Sequence, residues 1–428
     1  MYESWEQEKY KASHDSLTGL LNRDQFYEDV HDMVNKYHDT TFYLICSNIK
    51  DFKFINEIFG MEKGNQVLIK QAKLMASNPS ERTICARLMN DRFALCLPRE
   101  EFDEKRVADS VKELQREFSG NSFHLHTYMG VYEIRDRDEA VSIMVDKANI
   151  AADTIKNNYD CCVAYYDEHL LEISIEQRRL LGEFEPALQK GEFVMYLQPQ
   201  VNRDGAAKGA EALVRWAHPS RGILTPYAFI DILENAGLIY KLDLYIWEKA
   251  TQKLAEWKEK GYGSYHISVN ISTKDFYIID IYETFTGLIN KYGIAASNLH
   301  LEITETTLMT DFEKNMNIIH KLQDVGFRVE IDDFGSGYSS LNMLKDISAD
   351  VLKIDMGFLR KSENEVKGQD ILESIITLAG KIGMDVITEG VETKKQLDML
   401  TMMGCHEFQG YYFSKPVPVS EFEEKYLV

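Results

Sequence analysis

The sequence predicts an α/β protein of two parts: a smaller α+β domain with a mainly antiparallel sheet, then a closed β/α barrel of the TIM type. Three observations carry this. From residue 192 onward, strand-like runs alternate with helical patterns until eight strands are counted. Between about 13 and 167, strand-like and helical runs follow an order that suits a compact sandwich. The length, 428 residues, leaves room for one barrel and one smaller unit.

Residues 1–12 read as an N-terminal helical stub and 13–167 as the first domain. Its strand candidates are 41–49 (TFYLICSNI), 93–98 (FALCLP), 123–134 (FHLHTYMGVYEI) and 161–166 (CCVAYY). Apolar residues at helical spacing fill 65–77 and 104–118 between them. The segment 168–190 has no strand pattern and many helix formers, and is expected to be a connecting helix pair. In 191–428 the strand candidates are 192–201, 209–218, 265–272, 299–306, 328–334, 351–356, 385–391 and 407–413. Helical patterns such as 315–326 and 371–383 fill most of the gaps. An open doubly wound sheet is the competing arrangement, but no Gly-rich phosphate fingerprint follows the first strand.

Composition excludes several classes. The chain is 44% hydrophobic and 27% charged, which is ordinary for a globular protein. No apolar run is long enough to span a membrane, and the charged opening MYESWEQEKYKASHD does not read as a secretory signal. A net charge of −21 argues against a DNA or RNA coat. An anionic ligand would need metals or local cations to hold it against that field. Cys46, Cys85, Cys96, Cys161, Cys162 and Cys405 form no C-x-x-C pair. They read as small buried hydrophobes in a reducing cytosol.

The residues that end the barrel strands point to chemistry. They are Glu211, Asn270, Glu302 with Glu305, the pair Asp332-Asp333, Lys353 with Asp355, Glu389 with Glu392, and Gln409. In a β/α barrel the carboxyl ends of the strands meet at one mouth. A lone Asp at a strand end is ordinarily a helix cap. Polar groups at the same end of consecutive strands are a different matter, because so many carboxylates together need cations. Hard divalent metals with oxygen ligands meet that need. The glycines of Phe334-Gly335-Ser336-Gly337 are expected to release the backbone so that Asp332 and Asp333 both turn inward, one bridging two metals. Paired metals suit in-line attack on a phosphodiester. Lys353, the one cation in the set, suits holding a water or stabilising phosphate charge.

These motifs resemble the EAL domain family. Glu211-Ala212-Leu213-Val214-Arg215-Trp216 matches the motif that names it. Gln198-Pro199, Ser268-Val269-Asn270, Glu302-Ile303-Thr304-Glu305, Asp332-Asp333-Phe334-Gly335-Ser336-Gly337-Tyr338, Leu352-Lys353-Ile354-Asp355, Glu389-Gly390-Val391-Glu392 and Gln409-Gly410-Tyr411 follow in order. The resemblance covers essentially all of 180–428. It implies an EAL-type barrel in the bacterial cytoplasm, hydrolysing cyclic di-GMP to linear pGpG with two Mg²⁺ or Mn²⁺ ions. It implies one metal on Glu211, Asn270, Glu302 and Asp332, and a second on Asp332, Asp333 and Glu389. It gives Lys353 the nucleophilic water and Gln409 a supporting part in the water network. Gln198, Leu213 and Arg215 would contact the ligand, with Asp355 and Gln409 beside them. Glu305 would anchor the loop 334–341, which links activity to a homodimer through the EAL domain. The competing class is a cyclic di-GMP receptor without turnover, and the complete metal set favours the enzyme.

The first domain resembles the GGDEF family of diguanylate cyclases, through His14-Asp15-Ser16-Leu17-Thr18-Gly19-Leu20-Leu21-Asn22-Arg23 and Phe52-Lys53-Phe54-Ile55-Asn56. It departs where the chemistry would be. The name motif reads Met89-Asn90-Asp91-Arg92-Phe93, with Asn48, Lys50 and Asn65 at other acidic positions. The inhibitory R-x-x-D motif aligns with Ser80-Glu81-Arg82-Thr83 and is missing. The domain is therefore expected to be degenerate and to make no cyclic di-GMP. Structural or dimerising service, a response to GTP, or binding of a protein partner are the roles left to it. No sensor domain precedes His14, so its input would come from further chain or from that partner.

Overall fold

The computed structural model describes residues 10–50, 52–77, 80–118, 125–156, 158, 161–334, 347–356 and 365–427. The chain divides into two compact units, Met1–Arg178 and Arg179–Val428. The division falls inside the segment expected to connect the domains. That segment is one continuous helix, Glu168–Lys190, not the expected pair, and it runs through Pro186. Among the described residues no helix is long and apolar enough to cross a membrane.

The first unit holds a five-stranded sheet in the order β2-β3-β1-β4-β5. The strands are β1 (Phe42–Ile49), β2 (Ile84–Met89), β3 (Arg92–Pro98), β4 (Thr127–Glu133) and β5 (Val163–Tyr165). All pairings are antiparallel except β4 with β5. β1 is central and buried along its whole length, which is why it reads as an unbroken apolar run. Its side chains alternate between two cores. Leu44 and Cys46 pack towards the helices Arg23–Lys36 and Val141–Thr154. Tyr43 and Ile45 pack on the other face with Val111 of the helix Glu104–Phe118. β2 was not foreseen, because Ile-Cys-Ala-Arg-Leu-Met carries no clear period-two pattern. All six cysteines are free, and Cys46, Cys96 and Cys405 are buried.

The second unit is a closed eight-stranded barrel. Its strands are β6 (Phe193–Asn202), β7 (Ala207–His218), β9 (His266–Ile271), β10 (Leu299–Thr304), β11 (Arg328–Phe334), β12 (Val351–Asp355), β13 (Asp385–Glu389) and β14 (Glu407–Phe408). Pairing of β6 with both β7 and β14 closes the ring, while β8 (Gly222–Leu224) and β15 (Val417–Pro418) flank it. One expectation is corrected: the alternation is not strict. β6 runs antiparallel to both neighbours, and a tight turn joins it to β7 where a helix was expected. Asn202 Oδ1 accepts from the amides of Asp204 and Ala206 and fixes that turn.

The apolar core lies between the barrel wall and its outer helices. Trp216, Trp247, Phe193, Phe229, Phe285 and Phe327 fill it. Outward side chains of β9, β10 and β11 are Ile267, Val269, Ile271, Leu299, Leu301, Ile303, Val329 and Ile331, all in this core. Period-two alternation then sends His266, Ser268, Asn270, His300, Glu302, Arg328, Glu330 and Asp332 to the interior. Along these three strands the interior is therefore polar from floor to mouth.

Candidate active site

Lys353 organises the mouth. It stands mid-strand in β12, fully buried, and its Nζ lies 2.7 Å from Glu389 Oε1 and 2.9 Å from Glu302 Oε1. Glu211 Oε2 and Asp332 Oδ1 are each 3.5 Å away. Four strands thus deliver carboxylates to one ammonium. Both oxygens of Glu302 and Oδ1 of Asp332 are buried without any hydrogen-bond partner. With one ammonium among them, buried oxygens that accept no hydrogen bond are costly unless a further cation takes them. The all-oxygen donor set fits a hard divalent ion.

The remaining groups orient the ring. Asn270 Nδ2 donates to Glu211 Oε1 over 3.1 Å, and Gln409 Nε2 donates to Glu211 Oε2 over 2.5 Å. Gln409 Nε2 also lies 3.2 Å from Gln198 Oε1. Gln198 reaches the mouth because β6 is reversed, which pairs it directly with Glu211. Trp247 Nε1 holds the Asn270 carbonyl at 2.9 Å. Arg215 shares an alternating face with Glu211 and Leu213 on β7. Its guanidinium lies over the ring of Tyr196, 5.4 Å from the centroid.

Asp333 is in the left-handed region, with φ 56°. The pairing of β11 with β12 shifts between Ile331 and Phe334. The strand thus bulges at Asp333 and resumes pairing at Phe334, while the glycines expected to release it lie outside the described residues. The strain is carried by an Asp, a residue that tolerates this region better than most. Asp355 presses its Oδ1 within 3.4 Å of where a Cβ on Gly390 would stand, and Gly390 has φ 67°. Glu305 opens the short helix Glu305–Thr310, which Thr304 caps. Residues 335–341 of the loop assigned to it lie outside the described residues.

One ammonium cannot neutralise so many acids, and the acidities reflect this. Burial raises Glu302 well above the carboxylate range, and the Glu211 charge adds to it. Burial pushes Glu389 up to about 8, against the pull of Lys353. Burial also opposes ionisation of Glu211, yet Lys353, Gln409 and Asn270 together hold it below its usual value. Burial lowers Lys353, but the surrounding carboxylates outweigh it and raise the ammonium well above normal. Asp333 is raised by burial and by the charges of Asp332 and Asp355. Such a set binds protons or divalent ions in competition.

Comparison with known proteins now bears on this geometry. The EAL domain model matches residues 182–416, and that of the diguanylate cyclase GGDEF domain matches 12–160. The chain belongs to the GGDEF–EAL family. It is 30% identical over 424 residues to the bifunctional diguanylate cyclase/cyclic di-GMP phosphodiesterase MucR of Pseudomonas aeruginosa, covering 96% of this chain. It spans only 61% of MucR's length. A solved structure titled PaMucR phosphodiesterase, c-di-GMP complex, is 33% identical over 57% of this chain and 99% of that one, with a TM-score of 0.54. The S helix-GGDEF-EAL structure of Vibrio cholerae LapD shares the fold at 18% identity and a TM-score of 0.60, over 96% of this chain and 98% of that one.

Sequence reasoning missed Tyr196, which lies under Arg215, and Ser414, whose carbonyl accepts from Gln198 Nε2 at 3.4 Å. Tyr196 lies two residues before Gln198 on the same face, so the alternation was its signal. It also missed the polar floor. The repeats His266-x-Ser268-x-Asn270, His300-x-Glu302 and Arg328-x-Glu330-x-Asp332 would have revealed it.

Proposed function

We propose that the EAL unit hydrolyses cyclic di-GMP to linear pGpG at the barrel mouth. The observation that carries this is the buried ring of Glu211, Glu302, Asp332 and Glu389 around Lys353, in which both Glu302 oxygens and Asp332 Oδ1 accept no hydrogen bond. Glu211, Asn270, Glu302 and Asp332 would hold one divalent ion. Asp332, shared, would hold a second with Asp333 and Glu389. Mg²⁺ or Mn²⁺ suits oxygen donors at such a site and, when bound, supplies Lewis-acid stabilisation of charge on the phosphoryl group. The chain's own residues do the rest. Lys353 donates a hydrogen bond to the attacking water and fixes its line of approach. Arg215, backed by Tyr196, clamps a phosphate, and Leu213 and Asp355 line the ligand's path. Gln409 orients Glu211 and Gln198 together. Glu305 anchors the following loop, through which a barrel homodimer would bias activity.

The GGDEF unit is proposed to make no cyclic di-GMP and to serve as a structural or regulatory part, open to GTP or a protein partner. Asn90, with φ 52°, keeps the left-handed turn that a glycine would make, so the β2–β3 hairpin survives. Its side chain, and that of exposed Met89, stand where an open backbone would approach phosphates. Purified full chain incubated with cyclic di-GMP and Mg²⁺ or Mn²⁺, with products separated by chromatography, tests the reading. The expected product is pGpG. Tight binding with intact ligand would establish a receptor instead.

A further inference from the structure

The barrel's other end holds a second buried cluster that the phosphodiester chemistry does not use. His266 opens β9, His300 lies near the start of β10, and Glu330 stands mid-strand in β11. One ligand atom from each, two imidazole nitrogens and a carboxylate oxygen, lie within 4.8 Å of one another. His300 Nδ1 is 2.6 Å from Glu330 Oε1, and the two imidazole rings stack 3.8 Å apart. His300 and Glu330 are buried.

The surroundings are built around these groups. Ser268 Oγ donates to the other Glu330 oxygen over 3.2 Å. Gln200, on the reversed strand β6, presents Oε1 to His266 Nε2 at 2.7 Å. Partners of this kind fix ligand orientation in metal centres. Residue 209 is glycine, and a Cβ there would stand 2.4 Å from the His266 ring, so the ring occupies space only glycine leaves. A cavity of about 580 Å³ opens below, with Lys208, Tyr265, Arg328, Asp385 and Glu407 among its lining residues. It gives an ion a route in and leaves a coordination position open.

We propose that this floor is a metal centre separate from the mouth, in which His266, His300 and Glu330 bind one ion of the zinc class. Two imidazoles and one carboxylate are a recognised zinc donor set, whereas the all-oxygen mouth suits Mg²⁺ or Mn²⁺. Gln200 Oε1 can only accept, so His266 carries its proton on Nε2 and keeps a free electron pair on Nδ1. Parallel rings do not converge on one point, so binding slides one ring off the other into the cavity. The ion then ties β9, β10 and β11 together, the same strands that carry Asn270, Glu302 and Asp332 to the mouth.

The test uses the full chain, stripped with chelator, saturated with Mg²⁺ and dialysed against Zn²⁺, with bound zinc counted by elemental analysis. One zinc per chain is expected beyond Mg²⁺ saturation, retained in Glu302→Gln and lost in the His266→Gln/His300→Gln double variant. Ser268→Ala should weaken zinc binding roughly tenfold, as loss of an orienting partner does. Should the double variant fail to fold, Co²⁺ added to the Mg²⁺-saturated unmodified protein gives an independent readout. A four-coordinate centre with imidazole ligands absorbs strongly in the visible, and an octahedral oxygen site does not. No retained zinc, zinc lost in Glu302→Gln but kept in the double variant, or only weak octahedral absorption would each overturn the proposal.

Discussion

Lys353 has no solvent contact and no carboxylate to itself, so at the residue scale its loss and the loss of a ligand should differ. Lys353→Ala is expected to lower turnover at least about a hundredfold, about 3 kcal/mol of barrier. It should not cost Mn²⁺ binding, because an ammonium is not a metal ligand. Steady-state rates with Mn²⁺ titration in parallel check this, and joint loss of both would reassign the residue to metal binding. Arg215→Ala should raise KM or Kd for cyclic di-GMP about tenfold or more with a smaller change in kcat, consistent with a lost phosphate contact. Away from the mouth, Asp243 faces the fully buried Asp275 as an acid pair. Ser272 donates its amide and hydroxyl to Asp275 Oδ2 over 2.9 and 2.8 Å. Burial, then the charge of Asp275, pushes Asp243 well above the carboxylate range. A carboxyl raised on folding contributes fully below its unfolded value, and that contribution is lost as pH climbs through the folded one. Asp243→Asn should therefore flatten the decline of stability as pH rises above the ordinary carboxylate range, and raise the Tm at the high-pH end by a few degrees, about 1 kcal/mol. Thermal melts from pH 5 to 9 would show it, and parallel curves for both proteins would refute it.

At the scale of elements, what was legible depended on what periodicity encodes. β9 to β13 were placed to within a residue or two because apolar and polar residues alternate strictly along β9, β10 and β11 and in large part along β12 and β13. The carboxylates around Lys353 were legible with them, since Glu302, Asp332 and Glu389 lie in the second halves of β10, β11 and β13. Strand direction is not written in a period of two, so the reversal of β6 went unseen. The turn Asn202-Arg203-Asp204-Gly205 was its signal, with too few residues before β7 for a crossover helix. The floor was overlooked because histidines inside strands look like packing residues until the strands are set side by side. The β2–β3 hairpin carries its own prediction. Asp91 Oδ2 accepts from the Ile49 amide at 3.3 Å, and Arg92 is exposed beyond it. Arg92→Glu restores one acid but not those replaced by Asn48 and Asn65. Incubation of this variant with GTP and Mg²⁺ should yield no cyclic di-GMP, and any synthesis would show that the remaining side chains suffice.

At the scale of the molecule, each unit closes its own core. The barrel core begins with Leu180, Phe184 and Ala187, on one face of the helix Glu168–Lys190, and ends at Phe422 and Leu427. Every proposed catalytic group lies between Gln198 and Gln409, on strands of that one ring. A chain cut to begin near Ile173 keeps this core and these groups whole. It should stay folded and hydrolyse cyclic di-GMP at saturating concentration within a few fold of the full chain. The regulatory part proposed for the GGDEF unit should appear elsewhere, in how turnover depends on protein concentration. If that unit favours the barrel dimer, the full chain reaches maximal turnover at lower concentration than the cut chain, by about tenfold for each 1.4 kcal/mol it adds to association. GTP should shift only the full chain if the first unit binds it. Identical concentration curves, with and without GTP, would leave the GGDEF unit a passive scaffold and place control of the barrel outside these 428 residues.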